Sequence, residues 1–130
     1  MSTIATFCRK YNIRADAVMV DSNPHITDMP AGSAHYRVTL KRPGRQMTVF
    51  YSMGPALCRE PSASEVLSCL ISDATSFDNA RDFDDWCSNY GYDTDSRKAE
   101  RIYKTVEAQA GKLKSFLGHL YNAACQCEPE

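Results

Sequence analysis

Two runs of alternating side chains constrain the fold most strongly. Residues 35–41 and 46–53 each alternate apolar and polar side chains, which is the period of a strand with one buried face. The apolar positions are Tyr36, Val38, Leu40, Met47, Val49, Tyr51 and Met53. Pro43-Gly44 between the runs predicts a hairpin. Because the type II turn favoured by Pro-Gly fits strand twist less well than the primed turns, we expect a slightly longer loop or a bulge there.

Helical spacing of apolar side chains appears in four segments: residues 3–12, a segment that begins at Ser62, residues 82–90 and residues 96–117. Ser62 and Glu65 have the spacing of a capping box. Gly91 and Gly118 stand where the third and fourth of these helices should end. A last helical turn is expected within residues 119–130.

The order of these elements predicts an α+β fold in a single domain, residues 1–130. We expect a small antiparallel sheet of about three strands, with an N-terminal helix and a C-terminal group of three helices packed on one face. The first strand is a short run at residues 17–20. A flexible loop is expected near residues 21–33 and a loose tail near residues 122–130, where turn formers and acidic residues replace any periodic pattern.

Charge is strongly segregated along the chain. Residues 60–95 carry nine carboxylates and one base, Arg81, although the whole chain has a formal net charge of only −1. Such asymmetry concerns the surfaces that a protein attracts rather than its fold. We therefore expect an acidic surface that binds a host protein with a basic surface. The candidate partner-binding residues are Asp82, Asp84, Asp85, Trp86, Tyr92, Asp93 and Asp95; Trp86 and Tyr92 serve as anchors if they are exposed.

A nucleic-acid interface is the alternative hypothesis. Basic and polar side chains lie on or beside the predicted hairpin tip, where they could contact phosphates. They are His35, Arg37, Lys41, Arg42 and Arg45. With a sequence pI near 6.3, the chain lacks the basic character of a dedicated DNA-binding domain, so nucleic acid is the less favoured partner.

The sequence lacks the motifs that are typical of catalytic, metal-binding and cofactor-binding sites. The chain has no glycine-rich phosphate loop, nucleophile elbow or paired-histidine motif. Residues 93–104 resemble a calcium loop only in their first positions, since Lys98 and Lys104 replace the glycine and glutamate that such a loop requires. Cys125 and Cys127 have no second ligand pair at zinc-site spacing. We therefore expect no enzyme activity, no metal and no cofactor.

The chain is expected to be cytosolic. It has no apolar stretch long enough to cross a bilayer and no secretory signal pattern at its start. The six cysteines are interpreted as free thiols, because a domain of this size does not need crosslinks. No membrane partner is expected. The apolar positions of residues 96–117 are compatible with either a monomer or a homodimer.

Two motifs carry a resemblance to known proteins. They are MTVFYSMG at residues 47–54 and FDDWCSNYGYDTDSRKAERIY at residues 83–103. Over residues 34–118 the chain resembles a family of small proteins of tailed bacteriophages and prophages that has no established activity. The resemblance implies a phage protein made in the cytoplasm of a bacterial host. As a class, such proteins are similar to anti-defence proteins such as anti-CRISPRs, which implies an inhibitor or modulator with a CRISPR effector among the candidate partners.

Overall fold

The computed structural model describes residues 3–25, 33–53 and 61–128 and has the predicted α+β architecture. Its elements are α1 Ile4–Tyr11, β1 Arg14–Val20, β2 Ala34–Arg42, β3 Arg45–Met53, α2 Ala63–Asn79, α3 Phe83–Tyr90, α4 Arg97–Leu117, a 3-10 turn at Gly118–Leu120 and α5 Tyr121–Cys125. Of the loop predicted at residues 21–33, residues 26–32 lie outside the described part of the chain.

The three strands form one antiparallel sheet in the order β1-β2-β3. β1 begins at Arg14, earlier than predicted, because it pairs with β2 from Arg14 opposite Lys41 to Val20 opposite His35. The expectation of a longer hairpin loop was wrong. Arg42 pairs directly with Arg45, so Pro43 and Gly44 alone make the turn. Gly44 has φ 78°, the value that a type II turn requires at its second central residue.

One face of the sheet is buried under helices. The alternating residues Tyr36, Val38, Leu40, Met47 and Val49 are buried in a core that includes side chains from α1, α2 and α4. α3 lies apart from this core. Its Trp86 and Cys87 pack with Ala99 of α4 in a second, smaller cluster of buried residues. The helix that carries the predicted partner-binding residues is therefore attached to the rest of the protein through α4.

Local capping explains why the helix starts could be predicted. Thr3, Ser62, Asp82 and Ser96 are the N-caps of α1 to α4, and each side chain accepts a hydrogen bond from a backbone N–H three residues later. Near the end of the described residues, the Glu128 carbonyl accepts a hydrogen bond of 3.0 Å from the Ile4 N–H, and residues 129–130 of the predicted loose tail lie outside the described part of the chain.

Candidate functional site

The carboxylates of α3 sit at its N-terminal end. Asp82 caps the helix by accepting a hydrogen bond of 2.9 Å from the Asp85 N–H. Asp84 and Asp85 occupy the first helical turn, where the helix dipole stabilises negative charge. Asp82 and Asp84 are exposed. The sequence folds in this way because Asp is both a good N-cap and a favourable first-turn residue.

Asp85 has a different environment from its neighbours. Its carboxylate accepts hydrogen bonds from the Arg81 N–H at 3.0 Å and from the Arg81 guanidinium at 3.4 Å. The backbone hydrogen bond from Arg81 is the main cause that lowers the pKa of Asp85, and the charge of Arg81 adds to it. The Asp85 side chain is half-buried. It is therefore held within the protein and contributes less than predicted to an outward-facing surface.

Asp93 and Asp95 lie in the loop between α3 and α4, and both are exposed. Asp93 closes a tight turn by accepting a hydrogen bond of 3.0 Å from the Asp95 N–H. The negative charges of Asp84 and Asp93 both raise the pKa of the Cys87 thiol, after the larger effect of burial. Asp84 lies in the first turn of α3, and Asp93 lies in the loop that begins where Gly91 ends that helix. We call Asp82, Asp84, Asp93 and Asp95 the acidic surface.

Trp86 is not an exposed anchor. Its side chain is 2% exposed, and it packs against the rings of Phe83, Tyr92 and Tyr103 with centroid distances of 5.2 to 6.4 Å. Tyr92, the other predicted anchor, is half-buried and stacks on Trp86 with an interplanar angle of 15°. Tyr90 is the more exposed aromatic residue, at 47%. Tyr90 shares the helical spacing of the apolar side chains in residues 82–90, and this spacing gave no sign that Tyr90 is exposed.

A cavity of about 150 Å³ lies between β3, α2, α3 and α4, and sequence reasoning missed it. Asp73 of α2 and Tyr51 of β3 line one side. Burial raises the pKa of Asp73 to about 6. Burial, followed by the charge of Asp73, raises the pKa of Tyr51 as well. The available signal was a polar residue in an apolar stripe, because Asp73 follows Val66 and Leu70 at spacings of four and three.

The basic residues of the hairpin do not form one free face. The Arg42 guanidinium donates to the Phe116 carbonyl at 2.9 Å, and that of Arg45 donates to the Ser115 carbonyl at 2.6 Å. Both therefore stabilise the C-terminal end of α4. His35 is half-buried and lies 2.8 Å from the Ser52 hydroxyl through its Nδ1. Arg37 and Lys41 remain exposed on the opposite face of the sheet from the core.

The described residues contain no cluster of side chains that could bind a metal ion and no disulfide bond. No group of three His, Cys, Asp or Glu side chains in ranges 3–25, 33–53 and 61–128 is arranged to hold a metal ion. Among the described cysteines, Cys8, Cys69, Cys87, Cys125 and Cys127 are thiols that form no disulfide bond, as predicted. Cys58 lies outside the described residues.

Comparisons with models of protein families, with curated proteins and with solved structures found no match to this chain. The resemblance to phage proteins therefore stays a prediction. In the described part of the chain, no helix has both the length and the apolar character needed to cross a membrane.

Proposed function

We propose that the protein is a phage-encoded, non-enzymatic binding protein that inhibits or modulates a host protein by docking the acidic surface on a basic surface of that partner. The observation that carries the proposal is the exposure of Asp82, Asp84, Asp93 and Asp95 around one short helix and its following loop. Clustered charges of one sign steer association with a surface of the opposite sign and disfavour other partners.

Local hydrogen bonds hold part of this surface in place before any partner arrives. Asp82 is fixed as the N-cap of α3, and Asp93 is fixed by its turn with the Asp95 N–H. Side chains that are already ordered lose less conformational entropy on binding. Tyr90, at 47% exposure beside these carboxylates, adds an aromatic contact of the kind enriched in protein interfaces.

The nature of the partner follows from charge. A surface that normally binds nucleic acid is rich in Lys and Arg, so a compact set of carboxylates can compete with phosphates for it. A CRISPR effector in the cytoplasm of a bacterial host is one such partner; that choice depends on the phage resemblance. Direct binding of nucleic acid by this protein is less favoured, since Arg42 and Arg45 are engaged with α4.

The test compares two double variants with the same loss of charge. Asp84→Asn with Asp93→Asn neutralises the acidic surface, and Asn can keep the side-chain acceptor that Asp93 provides to its turn. Asp16→Asn with Asp21→Asn is the control, because both residues are exposed and lie in or directly after β1. Each purified protein is used to capture partners from bacterial lysate, and the captured partner is assayed for nucleic-acid binding.

We expect the control and the unmodified protein to capture the same nucleic-acid-binding partner and to block its binding to nucleic acid. The acidic-surface variant should lose most of this capture. Equal capture by the two double variants would contradict the proposed docking mode. A gel shift of nucleic acid by the protein alone, lost on Arg37→Glu with Lys41→Glu, would instead support the nucleic-acid alternative.

A further inference from the structure

The outer edge of β3 is open to a further strand. Arg42 and Arg45 pair across the two-residue turn, and in an antiparallel pair the hydrogen-bonded residues alternate along each strand. Counting from Arg45, the backbone groups of Gln46, Thr48 and Phe50 therefore point away from β2. In the described residues, no other strand pairs with this edge. Unpaired edge groups of this kind are a template for pairing with another extended chain.

The Thr48 carbonyl shows this outward orientation directly. It accepts a hydrogen bond of 3.1 Å from the Lys112 ammonium group of α4, so it points toward α4 and not toward β2. Lys112, Thr48 and Gln46 are exposed, and Phe50 is half-buried. Because an exposed lysine reaches the carbonyl, a ligand that lies beside β3 can reach the same edge.

A groove runs between this edge and α4. It has two sections of about 460 Å³ and 780 Å³, and Thr48, Ala108 and Lys112 line both of them. Gly111 of α4 lines the second section, and a Cβ added there would meet nothing within 4 Å. The small residues Ala108 and Gly111 therefore leave the space beside the strand unfilled. We call this space the β3–α4 groove.

The described residues that line the groove include cations and no carboxylate. The cations are Arg45, Lys104 and Lys112. Lys104 pairs with Glu100 at 3.1 Å, but both side chains are more than half exposed, and such surface pairs contribute little. Arg45 donates to the Ser115 carbonyl, which does not neutralise its charge. Charge complementarity therefore favours an acidic ligand.

The spacing of the two lysines fits an extended chain. Lys104 and Lys112 are eight residues apart in α4, which is about 12 Å along the helix axis. Residues i and i+4 of a strand lie on the same face and about 13 Å apart. A strand with acidic residues at this spacing can therefore pair with both lysines while its backbone follows β3.

We propose that the β3–α4 groove binds an extended acidic peptide segment of a partner protein, which adds to the sheet beside β3 as a fourth strand. Its backbone pairs with Gln46, Thr48 and Phe50, and a peptide N–H replaces the Lys112 ammonium group at the Thr48 carbonyl. Lys112 and Lys104 then pair with the peptide carboxylates. In strand addition, main-chain hydrogen bonds provide affinity and side-chain contacts provide specificity. The groove shares no residue with the acidic surface, so this inference extends beyond the proposed function and does not depend on it.

The probe is the blocked peptide acetyl-VEVEVEV-amide, titrated into the intact protein by calorimetry. Its valines favour a strand, and its first and third glutamates are four residues apart. Amide hydrogen exchange, followed by NMR, reports where it binds. We expect the peptide to slow exchange of the Gln46, Thr48 and Phe50 amides. The amides of Ala15 and Ala17, which by the same alternation face outward at the β1 edge, should exchange as before.

Altered peptides separate backbone pairing from charge. The peptide VKVKVKV reverses every charge and should bind at least about tenfold more weakly. N-methylation of all valines blocks one set of alternate N–H groups, and N-methylation of all glutamates blocks the other set. Because only one set can face β3, one methylated peptide should lose at least about tenfold in affinity and the other should bind more tightly than it. Binding of both methylated peptides as tightly as the parent would overturn the proposal.

Variants of the protein test the edge and the charge separately. Thr48→Pro removes an outward N–H, a position where edge strands tolerate proline, and should weaken VEVEVEV binding at least about tenfold. Ala17→Pro at the outward edge of β1 is its matched control and should bind normally. Lys104→Glu should also weaken binding at least about tenfold, whereas Lys10→Glu in α1, outside the groove, should not. Unfolding midpoints establish that each variant is folded, and Lys104→Glu with the altered peptides decides the question if Thr48→Pro does not fold.

Other occupants of the groove give different results. A single-stranded oligonucleotide that binds more tightly than VEVEVEV, with no loss on Thr48→Pro, would make the groove a nucleic-acid site and overturn the proposal. A dimer of the unmodified protein that Thr48→Pro dissociates would identify a second copy of this chain as the occupant and overturn it as well. The same conclusion follows if VEVEVEV fails to bind at millimolar concentration, or binds without slowing exchange of the Gln46 and Thr48 amides.

Discussion

At the scale of single residues, the informative positions are those where a polar side chain interrupts an apolar pattern. Asp73 follows Val66 and Leu70 in the α2 stripe, and Gln109 follows Ile102 and Val106 in α4 at the same spacing of four and three. Both polar residues line the cavity. The sequence therefore marks these two positions. It cannot show that they meet, because their proximity depends on how α2 and α4 pack.

The raised pKa of Asp73 predicts a pH-dependent stability. In the folded protein its pKa is about 6, above the ordinary value of 3.8, so between these values the native state keeps a proton that the unfolded state has lost. The free energy of unfolding contributed by this group therefore falls as the pH rises through that window. At neutral pH this half-buried carboxylate destabilises the fold by about 2 to 3 kcal/mol.

Asp73→Asn should remove this dependence. We expect the variant to be more stable than the unmodified protein by about 1 to 3 kcal/mol near neutral pH, with a smaller difference at acidic pH. Denaturant unfolding of both proteins at neutral and at acidic pH measures these two differences in stability. Asp16→Asn on the exposed surface of β1 is the control and should keep the fall in stability that Asp73 causes. If the stability of Asp73→Asn changed with pH in the same way as that of the unmodified protein, this result would contradict a raised pKa of Asp73.

Gly118 occupies a backbone conformation that other residues rarely adopt. It has φ 55° and ψ −127°, and an added Cβ would lie 2.7 Å from an Arg45 guanidinium nitrogen. We expect Gly118→Ala to destabilise the protein by about 1 to 3 kcal/mol through backbone strain and displacement of Arg45. Gly111 provides the comparison, since it lies within α4 with open space around it. Gly111→Ala should stabilise the protein by about 1 kcal/mol, as thermal unfolding can show.

At the scale of elements, the strands and helices were predictable because their signals are local. Alternation placed β2 and β3, the capping box at Ser62 placed the start of α2, and the helical spacing of apolar residues placed α3 and α4. The tertiary contacts between these elements were not predictable. The bond from Arg42 to the Phe116 carbonyl joins residues 74 positions apart, so the same basic residues were interpreted as a nucleic-acid contact.

The contact between the hairpin and α4 can be tested through Arg42. Its guanidinium donates a charge-assisted hydrogen bond to a carbonyl at the C-terminal end of α4, where the helix dipole also favours a cation. We expect Arg42→Met to lower the free energy of unfolding by about 1 to 3 kcal/mol. Arg37→Met, on the exposed face of the same strand, should change it by less than about 0.5 kcal/mol. Urea denaturation of the two variants gives the comparison, and equal effects would rule out a stabilising role for the Arg42 bond.

At the scale of the whole molecule, the acidic segment of the sequence divides between different roles. Asp73 lines the cavity, Asp78 forms a salt bridge of 2.7 Å with Lys114, and Asp85 is held by Arg81. The remaining exposed carboxylates around α3 form the acidic surface. Charge segregation along the chain was visible in the sequence. Only the fold shows which of these carboxylates are paired within the protein and which are exposed on its surface.

The most direct test of the account is the salt dependence of affinity for the captured partner. We predict that the dissociation constant of the unmodified protein rises steeply with salt, since exposed charge pairs are screened. Asp84→Asn with Asp93→Asn should bind about tenfold more weakly at low salt and show a shallower salt slope. Asp16→Asn with Asp21→Asn should match the unmodified protein. Identical affinities and slopes for all three proteins would contradict the claim that the acidic surface binds the partner.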